Sequence, residues 1–226
     1  MPRHYTLLCA AFAVASLIFY STLAFADISK GDSALAAGNT TQAIAFYQSQ
    51  ESDILAKIKL AQVYMKLDLD EAEDWIELAR KQDDQDPRMH FTRGSIMGQQ
   101  AANSIFSALS YAGKSLDSFE QAVALAPTNI DYQLGLLSFY VQAPSIAGGD
   151  MDKAKQVAQA ITALDPIEGL KANIMVYTAL EDKPGLELLL QEGLAQHSDD
   201  PWFLFNAGMI KQNHQEYAQA IGLLSQ

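Results

Sequence analysis

From residue 27 onward, apolar positions recur three and four residues apart, and runs of strict apolar–polar alternation are missing. Ala, Leu, Gln, Glu and Lys dominate these stretches, and all favour helix over strand. Short polar, Gly- or Pro-containing breaks fall at residues 38–40, 68–70, 83–88, 126–129, 143–150, 164–169, 181–185 and 197–202. Helix-length segments lie between them. The pattern predicts an all-α chain of antiparallel helices joined by short turns.

Within these segments one spacing repeats. Ala43, Tyr47 and Gln50 are separated by four and three residues, as are Ala72, Ile76 and Ala79. Ser115, Phe119 and Ala122 follow the same spacing, and so do Ala154, Ala158 and Ile161. Each trio lies on one helix face, with a small residue where two helices must approach closely. Pro127 and Pro166 stand five residues beyond the last two trios, where they stop a helix. A partner helix precedes each trio. Gly31 lies twelve residues before Ala43, Ala61 eleven before Ala72, and Gly208 twelve before Ala220.

This register resembles the tetratricopeptide repeat, a helix–turn–helix unit of about 34 residues. Gly31, Ala61, Gly94 and Gly208 match its small first-helix position, and Ala43, Ala72, Ala154 and Ala220 its small second-helix position. Pro127 and Pro166 match its closing proline. The resemblance implies a right-handed superhelix of stacked antiparallel helix pairs over residues 27–226, about six pairs in all. First helices would line a concave groove. Some positions depart from the pattern. Gly94 and Ser115 are twenty-one residues apart, so residues 99–113 lengthen both helices or add a turn. Leu137 and Val176 replace small residues, and the repeat count across 167–200 stays open.

The segment 143–166, APSIAGGDMDKAKQVAQAITALDP, raises the question of chemistry. A phosphate-binding loop would place Gly-Lys-Ser/Thr at a helix start after a strand. Here Lys153 comes four residues after Gly149, and no hydroxyl residue follows it. A calcium loop needs oxygen ligands over twelve residues and a closing Glu, which Lys153 and the apolar run interrupt. The reading that fits is a bend through Pro144, Gly148 and Gly149, with Asp150 capping the next helix and Asp152 near its positive end. The combination also looks like exported bacterial tetratricopeptide proteins with an extended third unit.

The chain begins MPRHYTLLCAAFAVASLIFYSTLAFA. Arg3 and His4 precede an apolar run from Leu7 to Tyr20, and Ala24-Phe25-Ala26 forms a small-x-small ending. This predicts a signal peptide over residues 1–26, cleaved after Ala26, and a periplasmic or secreted product. An uncleaved membrane anchor is the competing reading. Cys9 is the only cysteine, so the mature chain would rely on packing alone. Removing Arg3 leaves 14 basic residues against 27 acidic, a net of −13. Such charge disfavours nucleic acid and anionic membranes as targets and suits solubility.

No catalytic set, metal site or cofactor is expected. His90, His197 and His214 fall in different units, no Gly-x-Ser-x-Gly turn occurs, and the acids of residues 67–75 cluster at a helix start. Carrying the register forward, the expected partner-binding residues are Arg88, Phe91, Ser95 and Gln99; Asp131, Leu134, Ser138 and Gln142; Asn173 and Tyr177; and Trp202, Phe205, Met209, Gln212 and Asn213. Packing between neighbouring units is the other role open to the aromatics. Ile221, Leu223 and Leu224 in the last helix would leave an apolar face, able to receive another copy or another exported protein. The expectation is a noncatalytic scaffold binding a protein or peptide of unknown identity. A substrate- or ligand-handling component of an envelope uptake system is the alternative.

Overall fold

The computed structural model describes residues 28–213 and 215–225. The expected signal segment with its expected cleavage point, Cys9 and His214 lie outside the described residues. Those described form helices joined by short turns and irregular segments, with no strand among them. They form two compact units divided between Asn103 and Ser104.

Unit 1 contains α1 (28–36), α2 (Thr40–Gln48), α3 (Ile54–Tyr64), α4 (Leu69–Gln82) and α5 (Pro87–Asn103). Successive helices pack from α2 to α5, and α3 also touches α5. Ile28, Ala34, Ala43, Tyr47, Ala56, Leu60 and Val63 form one buried cluster, with Trp75 packed against it. Ala43, Ala61, Ala72 and Ala79 are fully buried, as the small-residue register requires.

Unit 2 contains α6 (Ala108–Leu125), α7 (Ile130–Gln142), a 3-10 turn (Ser145–Ala147), α8 (Met151–Leu164), α9 (Pro166–Ala179), α10 (Lys183–Gln196), α11 (Pro201–Asn213) and α12 (Tyr217–Leu224). Each helix packs on the next, α7 touches α9, and the 3-10 turn lies against α6. Ile174, Leu190 and Phe203 centre a cluster drawn from α9, α10 and α11. Leu137 and Val176, the bulky residues at small positions, are fully buried.

The helix starts follow from side-chain chemistry. Asn39, Asp53, Asp68, Asn129, Asp150, Asp165 and Asp182 each accept a hydrogen bond from a backbone N–H in the following turn. Asp86 and Asp200 accept likewise from the backbone N–H of Arg88 and Trp202. These bonds satisfy donors that an α-helix leaves unpaired at its first turn. Pro166 differs from its expected part. It ends α8 but is also the first residue of α9, where a missing N–H costs nothing. Pro87 and Pro201 open α5 and α11 in the same way.

The bend at 143–150 is structural in its details. Gly148 has φ +100°, and its N–H donates to the Ser145 carbonyl. A Cβ on Gly149 would strike the Ala143 carbonyl group. Asp150 accepts from the N–H groups of Asp152 and Lys153 at 2.9 and 3.0 Å. The length between Gly94 and Ser115 goes into both α5 and α6, of 17 and 18 residues.

Candidate functional site

In unit 1, α3 bears Lys59 and Gln62, which three-residue spacing brings to one helix face, and Lys66 follows in the turn after it. Beside it α5 offers Phe91, Thr92 and Ser95. With Leu35, Thr40, Val63, Met65 and Leu67 these residues line an open groove of about 620 Å³. Leu35 and Leu67 stand exposed at its edge.

The polar side of the groove is tied in place. Gln62 Nε2 donates to Thr92 Oγ1 at 3.1 Å, joining α3 to α5. Ser95 Oγ donates to the Phe91 carbonyl at 3.1 Å. Lys59 pairs with Asp32 at 2.9 Å, and the Tyr47 hydroxyl donates to the same carboxylate at 2.7 Å. Burial alone would raise the Asp32 pKa. Hydrogen bonds from Tyr47 and Lys59, with the lysine charge, outweigh it and hold the carboxyl below its ordinary range. The Tyr47 hydroxyl is pushed upward by burial and by that carboxylate. The site therefore presents apolar surface, Lys66, a Lys59 already paired with Asp32, and amide and hydroxyl groups. It suits an extended chain with apolar side chains and carboxylates or backbone carbonyls.

Of the residues expected from the sequence, Phe91 and Ser95 line this groove. Arg88 is engaged by Asp86, with Nη2 to Oδ2 at 2.6 Å, at the start of α5. Gln99 is exposed further along the same helix. Lys59, Gln62 and Lys66 were not among the expected residues. The signal that finds them is a polar row along an otherwise apolar helix and its closing turn, in the first-helix position of the second repeat.

In unit 2, Leu134 and Ser138 are half-buried on α7, Asp131 and Gln142 are exposed or partly so, and Gln142 donates to Ser138 at 2.6 Å. Asn173 on α9 donates to the Gly169 carbonyl at 2.8 Å. Tyr177 packs its ring where a Cβ of Gly185 would stand, at the start of α10. Trp202 is half-buried against the α9–α11 cluster. Its ring meets Phe203 edge-on at 5.2 Å, and Lys171 lies 5.8 Å from its centroid. Phe205 and Met209 are 56% and 37% exposed, one turn apart on α11, with Gln212 and Asn213 exposed beyond them. On α12, Ile221 and Leu224 are 67% and 45% exposed.

The described histidines serve helix ends. His90 Nε2 lies 2.7 Å from the Asp84 carbonyl before α5, and His197 closes α10 while stacking on Phe203. Among the described residues no three His, Cys, Asp or Glu side chains gather as a metal site. No described helix is long and apolar enough to cross a membrane.

No protein-family model matches the chain, and neither does any curated protein. Solved structures do. The chain is similar to TTC0263, a thermophilic TPR protein of Thermus thermophilus, at 16% identity and a TM-score of 0.63, covering 88% of this chain and 98% of that one. PilW, described as a type IV pilus biogenesis factor, matches at 13% identity and a TM-score of 0.68, over 89% and 90% of the two chains. YrrB, described as a TPR protein with an unusual peptide-binding site, matches at 18% identity and a TM-score of 0.56, over 79% and 88%. At such identities the likeness speaks for backbone architecture, and it agrees with the buried small-residue register. The chain has the helix-pair fold of the tetratricopeptide-repeat proteins.

Proposed function

We propose that this chain is an exported, noncatalytic scaffold that holds an extended segment of another protein in the unit 1 groove. The observation that carries the reading is the groove itself, with apolar edges at Leu35, Leu67 and Phe91 and two lysines on its α3 side. Lys66 beside apolar surface, in a chain of net charge −12, supports a ligand segment that brings a carboxylate or backbone carbonyl to this local basic spot. The fold shared with YrrB, whose structure is described as having a peptide-binding site, supports a peptide ligand in kind. Phe205 and Met209 on α11 form a second, separate contact row in unit 2.

Selection of binders from a random peptide library, followed by affinity measurement, tests this. Lys66→Glu with Phe91→Ala should weaken selected peptides about tenfold or more, as loss of contact anchors does. Phe205→Ala with Met209→Ala should leave groove-selected peptides unaffected. Equal losses in both variants would remove the groove from the reading.

A further inference from the structure

The two most exposed apolar side chains among the described residues, Phe106 and Ile105, lie in the extension between α5 and α6, and Leu109 stands close by. Ile105 is 89% exposed, Phe106 99% and Leu109 56%. The backbone N–H of Ser107 donates to Ser104 Oγ at 3.0 Å, closing a turn with Ile105 and Phe106 at its two central positions. Both side chains therefore project from the tip. Leu109 follows in the first turn of α6.

The stretch around this tip is free of charge. Charged residues make up 19% of the sequence, yet none occurs in residues 94–113. Ser, Gln, Asn, Ala and Gly fill the positions between the apolar ones. The first charge after the tip is Lys114, whose ammonium lies 4.7 Å from the Tyr111 ring centroid. Tyrosine and lysine are residue types that favour the boundary of a bilayer, with ring or stem in the apolar zone and polar end in the headgroups. A carboxylate there would be costly to carry into lipid, and the chain's 27 acidic residues all lie elsewhere.

We propose that the 104–109 tip inserts Ile105, Phe106 and Leu109 into the interfacial zone of a zwitterionic bilayer. A second copy of the chain fits less well. Three side chains of this size offer on the order of 450 Å², short of the roughly 800 Å² per partner in a stable protein interface. The absence of charge in the tip also matches a neutral lipid surface, whereas the protein as a whole would be repelled by an anionic one. This site is independent of the unit 1 groove.

The test uses the full chain carrying Phe106→Trp and phosphatidylcholine vesicles with brominated acyl chains. A position-specific readout is needed because the apolar run at Leu7–Tyr20 can itself partition into lipid. The introduced indole should lose at least about half its emission on vesicle addition, as expected for an aromatic ring seated at the interface. Trp75 and Trp202 should change little. Adding Ile105→Ser and Leu109→Ser should cut the quenching several-fold. An introduced indole that stays quencher-insensitive, or quenching unchanged by the two serines, would overturn the proposal. So would an indole that becomes protected without lipid as protein concentration rises, which would assign the tip to self-association.

Discussion

Gly31 on α1 and Tyr47 on α2 share one volume. A Cβ on Gly31 would lie 2.7 Å from Tyr47 Cδ1 and closer still to Cε1. The ring is fully buried, and its hydroxyl reaches Asp32. Gly208 and Leu224 repeat the relationship in the last pair, where a Cβ would meet Leu224 Cγ at 2.7 Å. In both pairs the partners are sixteen residues apart, 31 to 47 and 208 to 224. A side chain missing from one helix is thus the seat of a large one on the next.

Gly31→Ala should destabilise unit 1 by about 1–3 kcal/mol, because overpacking exceeds the small gain in helix propensity. Urea denaturation followed by circular dichroism measures it. Tyr47→Leu should itself cost stability but make Gly31→Ala close to neutral when combined. A full additive loss in the double variant would refute the shared-volume account.

The Gly148-Gly149 bend gives a ranking. Gly149→Ala drives a Cβ into the Ala143 backbone, which has no rotamer to yield. Gly148→Asn meets the left-handed φ, which Asn tolerates, and side chains alone, the Leu116 Cδ2 methyl at 3.0 Å and the Phe139 ring at 3.5 Å. Gly149→Ala should therefore lose more, by about 2 kcal/mol or above, and Gly148→Asn about 1 kcal/mol. Thermal melts of the two variants check the order.

Acid should loosen unit 1. Burial raises the Glu77 pKa, but hydrogen bonds and charge from Arg93 and Arg80 outweigh it and hold the carboxyl below its ordinary value. Asp32 and Asp86 are lowered in the same manner by Tyr47 with Lys59 and by Arg88. A carboxyl with a depressed folded pKa contributes stability above its unfolded pKa of about 4 and loses it as pH falls through the folded value. Urea midpoints should hold from about pH 7 to 5 and then fall toward pH 3. Glu77→Gln should be less stable at neutral pH and show a shallower acid decline.

Export has its own check. If residues 1–26 are removed as the sequence indicates, terminal sequencing of the secreted or periplasmic product should read from Asp27. Product retained in the membrane with Met1 intact would favour the anchor instead.

The turns were legible because one polar residue decides each of them. Every break read from the sequence contains an Asp or Asn that caps the next helix. Asp53, which caps α3, lies outside these breaks. Packing roles were less legible. Trp202 and Phe205 stand three residues apart on α11, yet one packs on Phe203 while the other is mostly exposed. Which of them lies inside depends on the position of α9, set by contacts distant in sequence. The α3 side of the groove was missed for a related reason. Lys59, Gln62 and Lys66 become groove residues only through Phe91 and Thr92 of α5, about thirty residues further along the chain.

The capping bonds separate the acidity of this protein from its architecture. Seven helix starts use an aspartate, at 53, 68, 86, 150, 165, 182 and 200. Asparagine accepts the same bond and already does so at 39 and 129. Asp86 and Asp200 also pair with Arg88 and Lys171, but exchanging the other five would move the formal charge from −12 to −7 without deleting a cap. Long-range field and local geometry can thus be varied one at a time in a single backbone, isolating how far electrostatic steering governs any encounter this protein makes.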